Sequence, residues 1–341
     1  MSAISNSSGG VWAASWRRLK TDRVGMASMV VVGLFLVLVL LAATHLVAAD
    51  WQKEVGVPNA PPTLLGAQPA EDTGVIATPK GPNVDLSDID PLAPRYAEWA
   101  ERAKAFKTDD IVKAETLPLG GDRLGRDVLA KVVKGAEVSI FVGLAAAAVA
   151  TLIGTVLGAV SGFFGGKVGD FLEWVYNVFT AIPSILLIFA FAAIFPRGVG
   201  AVVAILALTG WTGIYRLIRA EFMKHRVREY VRSAEAIGAS RASRMFRHIL
   251  PNVSHIALVQ LSLNVVSFIK AEVILSYLNL GVGVDQVSWG TMLGEAQNEL
   301  ILGYWWQLAI VAAFMAVFVT AFALFTDALR DALDPKLRGL E

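Results

Sequence analysis

The sequence predicts an all-α membrane protein of six transmembrane helices, with a long extracytoplasmic loop between helices 1 and 2. Three observations carry this reading. Hydrophobic residues make up 55% of the 341 and charged residues 17%, against roughly 45–50% and about 25% in soluble domains. The apolar excess comes in blocks of the length a span needs, about 20 residues. Lys and Arg gather on alternate connections, as the positive-inside rule requires of a multi-pass chain. A net charge of +1 supplies no global field for nucleic acid, and no such partner is expected. The absence of cysteine excludes disulfides, thiolate catalysis and cysteine metal sites.

Residues 1–23 form a basic segment holding Arg17, Arg18, Lys20 and Arg23. The first span, 24–49, has no Asp, Glu, Lys or Arg. It is longer than the apolar region of a signal peptide, about 7–15 residues, so it is read as an uncleaved anchor. The extracytoplasmic loop is 50–137. Prolines from Pro58 to Pro94, Pro69, Pro79 and Pro82 among them, argue against regular structure in its first part. From Tyr96, the residues Trp99, Ala103 and Phe106 recur at helical spacing and predict an amphipathic helix. That helix either covers the spans or contacts an outside partner.

The membrane-spanning core is 138–327. Charge-free runs cover 138–166, 174–196, 198–215 and 300–326, and a further run, 253–280, is interrupted by Lys270 and Glu272. The segment after the fourth run holds nine basic residues' worth of charge between Arg216 and Arg247, and the tail, 328–341, holds Arg330, Lys336 and Arg338. The connection 279–304 holds no Lys or Arg. Both termini are therefore placed on the cytoplasmic side.

Within the spans, Gly154, Gly158 and Gly162 form a repeated small-residue pattern of the kind that lets helices approach closely in lipid. The pattern does not say whether the neighbour belongs to the same chain. Pro183 removes a backbone hydrogen bond and predicts a kink that either packs or lines a pathway. Lys270 and Glu272 are the charges inside a span. Two residues apart on a helix, they point about 200° away from each other and are no simple ion pair. Glu272 is a pathway or structural residue, and Lys270, toward the outer end, is read as a snorkelling lysine.

The stretch Arg228 to Asn252, within the segment 216–252, predicts a helix, a glycine turn and a second helix. Tyr230, Ala234 and Ile237 recur on one face; Gly238 stops the first helix; Ser240 caps the second. The second helix carries Met245, Phe246 and Ile249, with Pro251 marking its end. Small residues at Ala234, Ala236 and Gly238 let another surface approach. By itself the hairpin would serve a protein partner or anionic lipid equally well.

Here the sequence resembles a known family. The run Glu-Tyr-Val-x-x-Ala-x-Ala-x-Gly-Ala-Ser from Glu229, followed by Arg-His-Ile-Leu-Pro-Asn from Arg247, is similar to the EAA motif of permease subunits of bacterial ABC importers. It resembles in particular the second permease of the dipeptide, oligopeptide and nickel branch. Four further blocks resemble that branch in order: LPLGGDRLGRDVLAKVVKGAEVSI from Leu117, SGFFGGKVGDFLEWVYNVFTAIPSILL from Ser161, EVILSYLNLGVGVDQVSWGTML from Glu272 and DALRDALDPKLRG from Asp327. The resemblance covers the first span and the chain from about Leu117 to its end.

The resemblance implies the type I ABC importer permease fold and a subunit of the bacterial inner membrane forming half of a translocation pathway for peptides. A nickel chelate or another small solute is the alternative, and a secondary transporter a more distant one. It also implies a second homologous permease, two ATP-binding subunits, an extracytoplasmic substrate-binding protein and the surrounding lipid bilayer as partners. ATP and Mg would bind to the ATPase subunits and no cofactor to this chain, which has no GxxxxGK[ST] loop and is expected not to be an enzyme, with no catalytic or metal residues. The hairpin would be the coupling helix, with Tyr230, Arg232, Ala234, Glu235, Gly238, Ala239 and Ser240 carrying the ATPase contact. Arg232 stands where the family often has Glu, and Glu235 where the branch often has a basic residue, a swap between neighbours on a helix. Asn279 replaces a glycine, Lys270 has no counterpart, and nothing of the family carries over to 50–116.

Overall fold

A computed structural model describes residues 11–66, 90–105 and 113–333. Phe106, Pro69, Pro79, Pro82, Lys336, Arg338 and the end of the C-terminal motif lie outside the described residues. The chain divides into two compact units, one made of Met1–Gln52 with Val128–Glu341, the other of Lys53–Asp127.

Among its described residues the first unit is built of helices joined by turns and short connections. Helix α1 (Val11–Thr21) leads into α2 (Arg23–Ala43). Asp22 caps α2 by accepting a hydrogen bond from the Val24 amide at 2.9 Å. Helix α2 is apolar all round. It buries Gly25, Ser28, Val32 and Ala42 and leaves Leu34, Val37 and Leu40 exposed, as a bilayer-facing helix can. It ends at Ala43, and turns occupy the last residues of the expected span.

Later in the chain lie α4 (Val128–Phe164), α5 (Gly166–Thr180), α6 (Ser184–Ile194), α7 (Val199–Gly210) and α8 (Thr212–His225), after the α3 of the other unit (Tyr96–Ala105). Helix α4 has 37 residues, about 55 Å at 1.5 Å per residue, more than a bilayer core needs. It begins ahead of the charge-free run, so Lys131, Lys134 and Glu137 stand on the helix rather than in the expected loop.

The glycine pattern of α4 meets α8 of the same chain. A Cβ on Gly154 would lie 2.6 Å from the Trp211 carbonyl oxygen, one on Gly158 2.7 Å from that of Tyr215, and one on Gly162 2.5 Å from that of Arg219. Only a hydrogen fits at these positions, and the two backbones touch along the seam. Polar groups close the seam: the Tyr215 hydroxyl donates to Ser161 Oγ at 3.0 Å, and Arg219 pairs with Glu173 at 3.0 Å.

Pro183 produces more than a kink. It caps α6, and α5 and α6 meet at 86°. Helices α7 and α8 meet at 42°. Among the described residues four helices are long and apolar enough to cross a membrane, or six when each bent pair counts as one span.

After the hairpin described below, α11 (Leu250–Tyr277), α12 (Trp289–Ile301) and α13 (Trp306–Leu333) complete the unit. Half of the expected outer connection 279–304 is thus helical. Ser288 and Thr291 form a reciprocal capping box at the start of α12, and Trp289 is fully buried. Asn279 has φ +58°, a left-handed conformation that glycine adopts freely and Asn tolerates better than most residues. The main core joins α4, α7, α11, α12 and α13 around Ile140, Leu206, Ile269, Trp289 and Phe318.

The second unit has isolated backbone bridges among its described residues, such as Gly56 with Ala114 and Pro62 with Leu117. Asp122 organises the Gly-Gly-Asp-Arg-Leu-Gly-Arg turn. Its carboxylate accepts from the amides of Leu124 (2.9 Å) and Arg126 (3.0 Å) and from Arg126 Nε (2.6 Å). Helix α3 is present, with the exposed Tyr96 and Trp99 rings tilted by 55° and 5.8 Å apart between centroids.

Candidate functional site: the basic hairpin

Helix α9 (Glu229–Ala236) follows α8 after a short turn at Arg226–Arg228. Its end is a Schellman motif: the Ala239 amide bonds the Ala234 carbonyl and the Gly238 amide bonds the Glu235 carbonyl, both at 2.9 Å. This geometry needs a left-handed residue, and Gly238 supplies it at φ +88°. The Ser240 side chain then accepts from the Ser243 amide at 3.2 Å and starts α10 (Arg241–Ser243).

From here the chain does not turn again. A π-helical stretch, Arg244–Ile249, joins α10 directly to α11, with the Leu250 amide bonding the Met245 carbonyl five residues back. Pro251 was expected to end the second helix. It lies instead in the first turn of α11, where it needs no amide donor because the wider π turn has already rerouted the hydrogen bonds. One rod therefore runs from Arg241 to Tyr277.

The hairpin sits on a second small core. Val231, Met245 and Ile249 pack with Ile214, Ile218 and Phe222 of α8 and with Ala159 of α4. Of Tyr230, Ala234 and Ile237, expected on one face, only Ala234 is buried. Val231 and Ala234 are the buried pair, Tyr230 is 38% exposed and Ile237 is 85% exposed. The spacing of Val231 and Ala234, three apart, carried this signal. Ala234 is thus a seat for the hairpin rather than part of its outer surface. Arg232, Glu235, Gly238 and Ser240 are exposed and Ala239 half-buried. Phe246 also points outward, while Met245 and Ile249 point in.

Glu235 does not take Arg232 as its partner. It meets Arg244 at 2.6 Å, across the turn. The Arg244 guanidinium also lies over the Phe163 ring, 5.6 Å from its centroid. The Tyr230 hydroxyl lies 2.8 Å from His225 Nδ1, and partial burial pushes the Tyr230 phenol above its usual value, so it remains a hydroxyl. Phe163, Phe164, Arg226, Arg241 and Arg244 line a cavity of about 360 Å³ at the base of the hairpin.

The remaining sequence candidates lie elsewhere. Pro183 marks the α5–α6 break. Glu272 is fully buried and accepts from Ser139 Oγ and Ser276 Oγ, each at 2.7 Å. Ser139 Oγ in turn accepts from the Trp289 amide at 3.1 Å, so one carboxyl group ties α4, α11 and the start of α12 together. Sequence reading missed a second buried pair, Lys131 with Glu295, which Gln307 joins from α13. Its members are 164 residues apart, a distance no local motif spans. Among the described residues no three His, Asp or Glu side chains gather as metal ligands would.

The fold and hairpin define a multi-pass membrane permease. Residues 154–339 match the model of the binding-protein-dependent transport system inner membrane component family, and residues 10–62 match that of the N-terminal TM domain of oligopeptide transport permease C. The chain belongs to the family of binding-protein-dependent transport system inner membrane components. It is 35% identical over 238 residues to the oligopeptide transport system permease protein OppC of Bacillus subtilis (strain 168), covering 68% of this chain and 78% of that one. It is 35% identical over 219 residues to the dipeptide transport system permease protein DppC of the same organism, covering 64% and 68%. It is 27% identical over 322 residues to the DppC of Lactococcus lactis subsp. cremoris (strain MG1363), covering 94% and 90%. The chain is a multi-pass inner-membrane permease subunit of an ABC importer.

Proposed function

We propose that this chain forms one half of the translocation pathway of an ATP-driven peptide importer. Its partners are a second, homologous permease, two ATP-binding subunits that hold ATP and Mg, and an extracytoplasmic protein that delivers the substrate. Peptide as the substrate class rests on the oligopeptide and dipeptide relatives. In this reading the N-terminal segment 1–23, the coupling segment 216–252 and the tail 328–341 lie in the cytoplasm, and the loop 50–137 lies outside. The basic residues of these segments support that orientation.

The hairpin is the coupling element. Tyr230, Arg232, Glu235, Gly238, Ala239 and Ser240 present its contact surface to an ATPase subunit, and Ala234 seats it. The observation that carries this role is the continuous rod from Arg241 to Tyr277. A hairpin that ended at Pro251 would move independently of the spans. This one is the end of a spanning helix, so a displacement of the turn moves α11 with it. The π stretch at its root is a common form of helix adaptation at functional sites.

The test is reconstitution of the whole importer in proteoliposomes with a labelled tripeptide outside. Uptake that requires internal ATP and the delivery protein supports the reading. Uptake by this chain alone, driven by an ion gradient without ATP, overturns it.

A further inference from the structure

We infer that the exposed face of α11 is this chain's wall of the translocation path, and that Lys270 on that face takes up a carboxylate of the passing peptide. The second half of the inference rests on the peptide-importer reading. The first half stands without it.

The large exposed side chains along the middle of α2, α4 and α13 are apolar. Leu34, Val37 and Leu40 project from α2, Phe141, Val149 and Leu152 from α4, and Val317 and Leu324 from α13. Such faces rest in lipid at no cost. Helix α11 differs. At about 100° per residue, Ile256, Gln260, Leu263, Ser267, Lys270, Ile274 and Tyr277 fall on one stripe, and from Leu263 onward all of these are exposed, Ile274 and Leu263 being its apolar members. Polar groups recur along the whole length of the stripe. At one end Gln260 donates to Asn264 at 3.1 Å. In the middle stand Ser267 and Lys270. At the other end the Tyr277 hydroxyl donates to Gln297 at 2.8 Å. Intramembrane polar groups of this kind face a cavity or a bundle interior rather than hydrocarbon.

Snorkelling would explain Lys270 alone, since it lies about 10 Å short of the helix end at 1.5 Å per residue. It explains neither Ser267, one turn deeper, nor Gln260. At its cytoplasmic end the stripe opens into a cavity of about 320 Å³, lined by His255, Val259, Gln260 and Leu263 of α11, Leu217 of α8, and Arg330 and Leu333 of α13. A half-polar cavity continuous with a polar stripe is what a water-filled path requires and what a lipid-facing helix lacks.

The charge of the face selects its occupant. Lys270 is the fixed charge of this face within the span, and Arg330 of α13 stands at its cytoplasmic end. Glu272 lies on the opposite side of α11, buried and held by Ser139 and Ser276. A cationic wall in a low-dielectric surround attracts the anionic end of a zwitterionic peptide.

The chain has no cysteine, so single thiols report on this face directly. In the assembled importer, Ser267→Cys and Lys270→Cys are exposed to a charged, membrane-impermeant methanethiosulfonate, with Leu34→Cys and Leu152→Cys as lipid-facing references. The inference expects the first two to be modified and the references spared. If Ser267→Cys is as unreactive as Leu34→Cys, the face is covered by lipid or by the second permease, and the inference fails. Modification of Lys270→Cys without Ser267→Cys means snorkelling and also overturns it.

The carboxylate is tested by uptake of tripeptides bearing aspartate, alanine or lysine, and of a C-terminally amidated tripeptide. Lys270→Gln is expected to lower kcat/KM for the carboxylate-rich peptide about tenfold relative to the amidated one, with Lys270→Arg retaining activity. A loss shared by the alanine peptide identifies the terminal carboxylate; a loss confined to the aspartate peptide identifies a side-chain one. An equal change for all peptides, or none, overturns the assignment. A wild-type importer that carries none of them overturns the peptide reading instead, and leaves the thiol result to stand or fall alone.

Discussion

The Arg244 guanidinium meets the Glu235 carboxylate at 2.6 Å across the Gly238 turn, so the two arms of the hairpin are tied by charge as well as by the Schellman bonds. The Glu235 side chain is 60% exposed and that of Arg244 13%, so water screens the carboxylate and the pair contributes about 1 kcal/mol to stability. Its importance is directional. Glu235→Arg is expected to leave thermal stability nearly unchanged and to lower substrate-stimulated ATP hydrolysis by the assembled importer. The double change Glu235→Arg with Arg244→Glu is expected to recover much of it. Hydrolysis rates of the three complexes check this, and equal rates in all would remove the pair from the coupling account.

The α4–α8 seam is intolerant of side chains. Gly158→Leu would drive atoms into the Tyr215 carbonyl, 2.7 Å from where its Cβ would lie, and overpacking of this kind costs about 1–3 kcal/mol or more. Gly33, on α2, has nothing within 4 Å of such a Cβ. The expected outcome is loss of folded Gly158→Leu from detergent-solubilised membranes, read by size-exclusion chromatography, with Gly33→Leu unaffected.

Glu272 is a polar pin. Replacing it by Leu strips the acceptors from Ser139 and Ser276 in a dry interior, at about 1–3 kcal/mol. Glu272→Gln keeps an acceptor for one serine and offers a donor to the other. Thermal unfolding of the purified permease pair is expected to fall in the order wild type, Glu272→Gln, Glu272→Leu.

Lys131 is 1% exposed and Glu295 29% exposed. Removing one member of a buried ion pair costs about 3–5 kcal/mol, and the partial exposure of Glu295 and the bond it accepts from Gln307 place this case at the low end. Lys131→Met is therefore expected to destabilise more than Lys131→Met combined with Glu295→Gln, where the neutral amide can still accept from Gln307. The same thermal measurement decides it.

Much of the fold was legible because bilayer physics is read one helix at a time. Blocks of apolar residues gave the spans, Gly154, Gly158 and Gly162 announced a close helix contact, and Gly238 and Ser240 gave the hairpin its turn and cap. What could not be read depended on partners distant in sequence. Lys131 looked like a loop residue until Glu295 was beside it. Pro251 looked like a stop until a π turn ahead of it removed the need for its amide. Ile237 fitted an apolar face by spacing, yet Val231 filled that face first. The connection 279–304 lacked the length of a span, so its helix, held by a capping box and Trp289, went unread.

The most direct test of the coupling account is co-purification from native membranes of the tagged wild-type chain and of Ile237→Asp. Ile237 is 85% exposed and does not contribute to the hairpin's own core, so the substitution alters the contact surface without touching the fold. The account predicts that both chains retain the second permease, that the wild type retains an ATP-binding subunit, and that Ile237→Asp loses it. An ATP-binding subunit held equally by both, or by neither, would contradict the assignment of this hairpin as the coupling element.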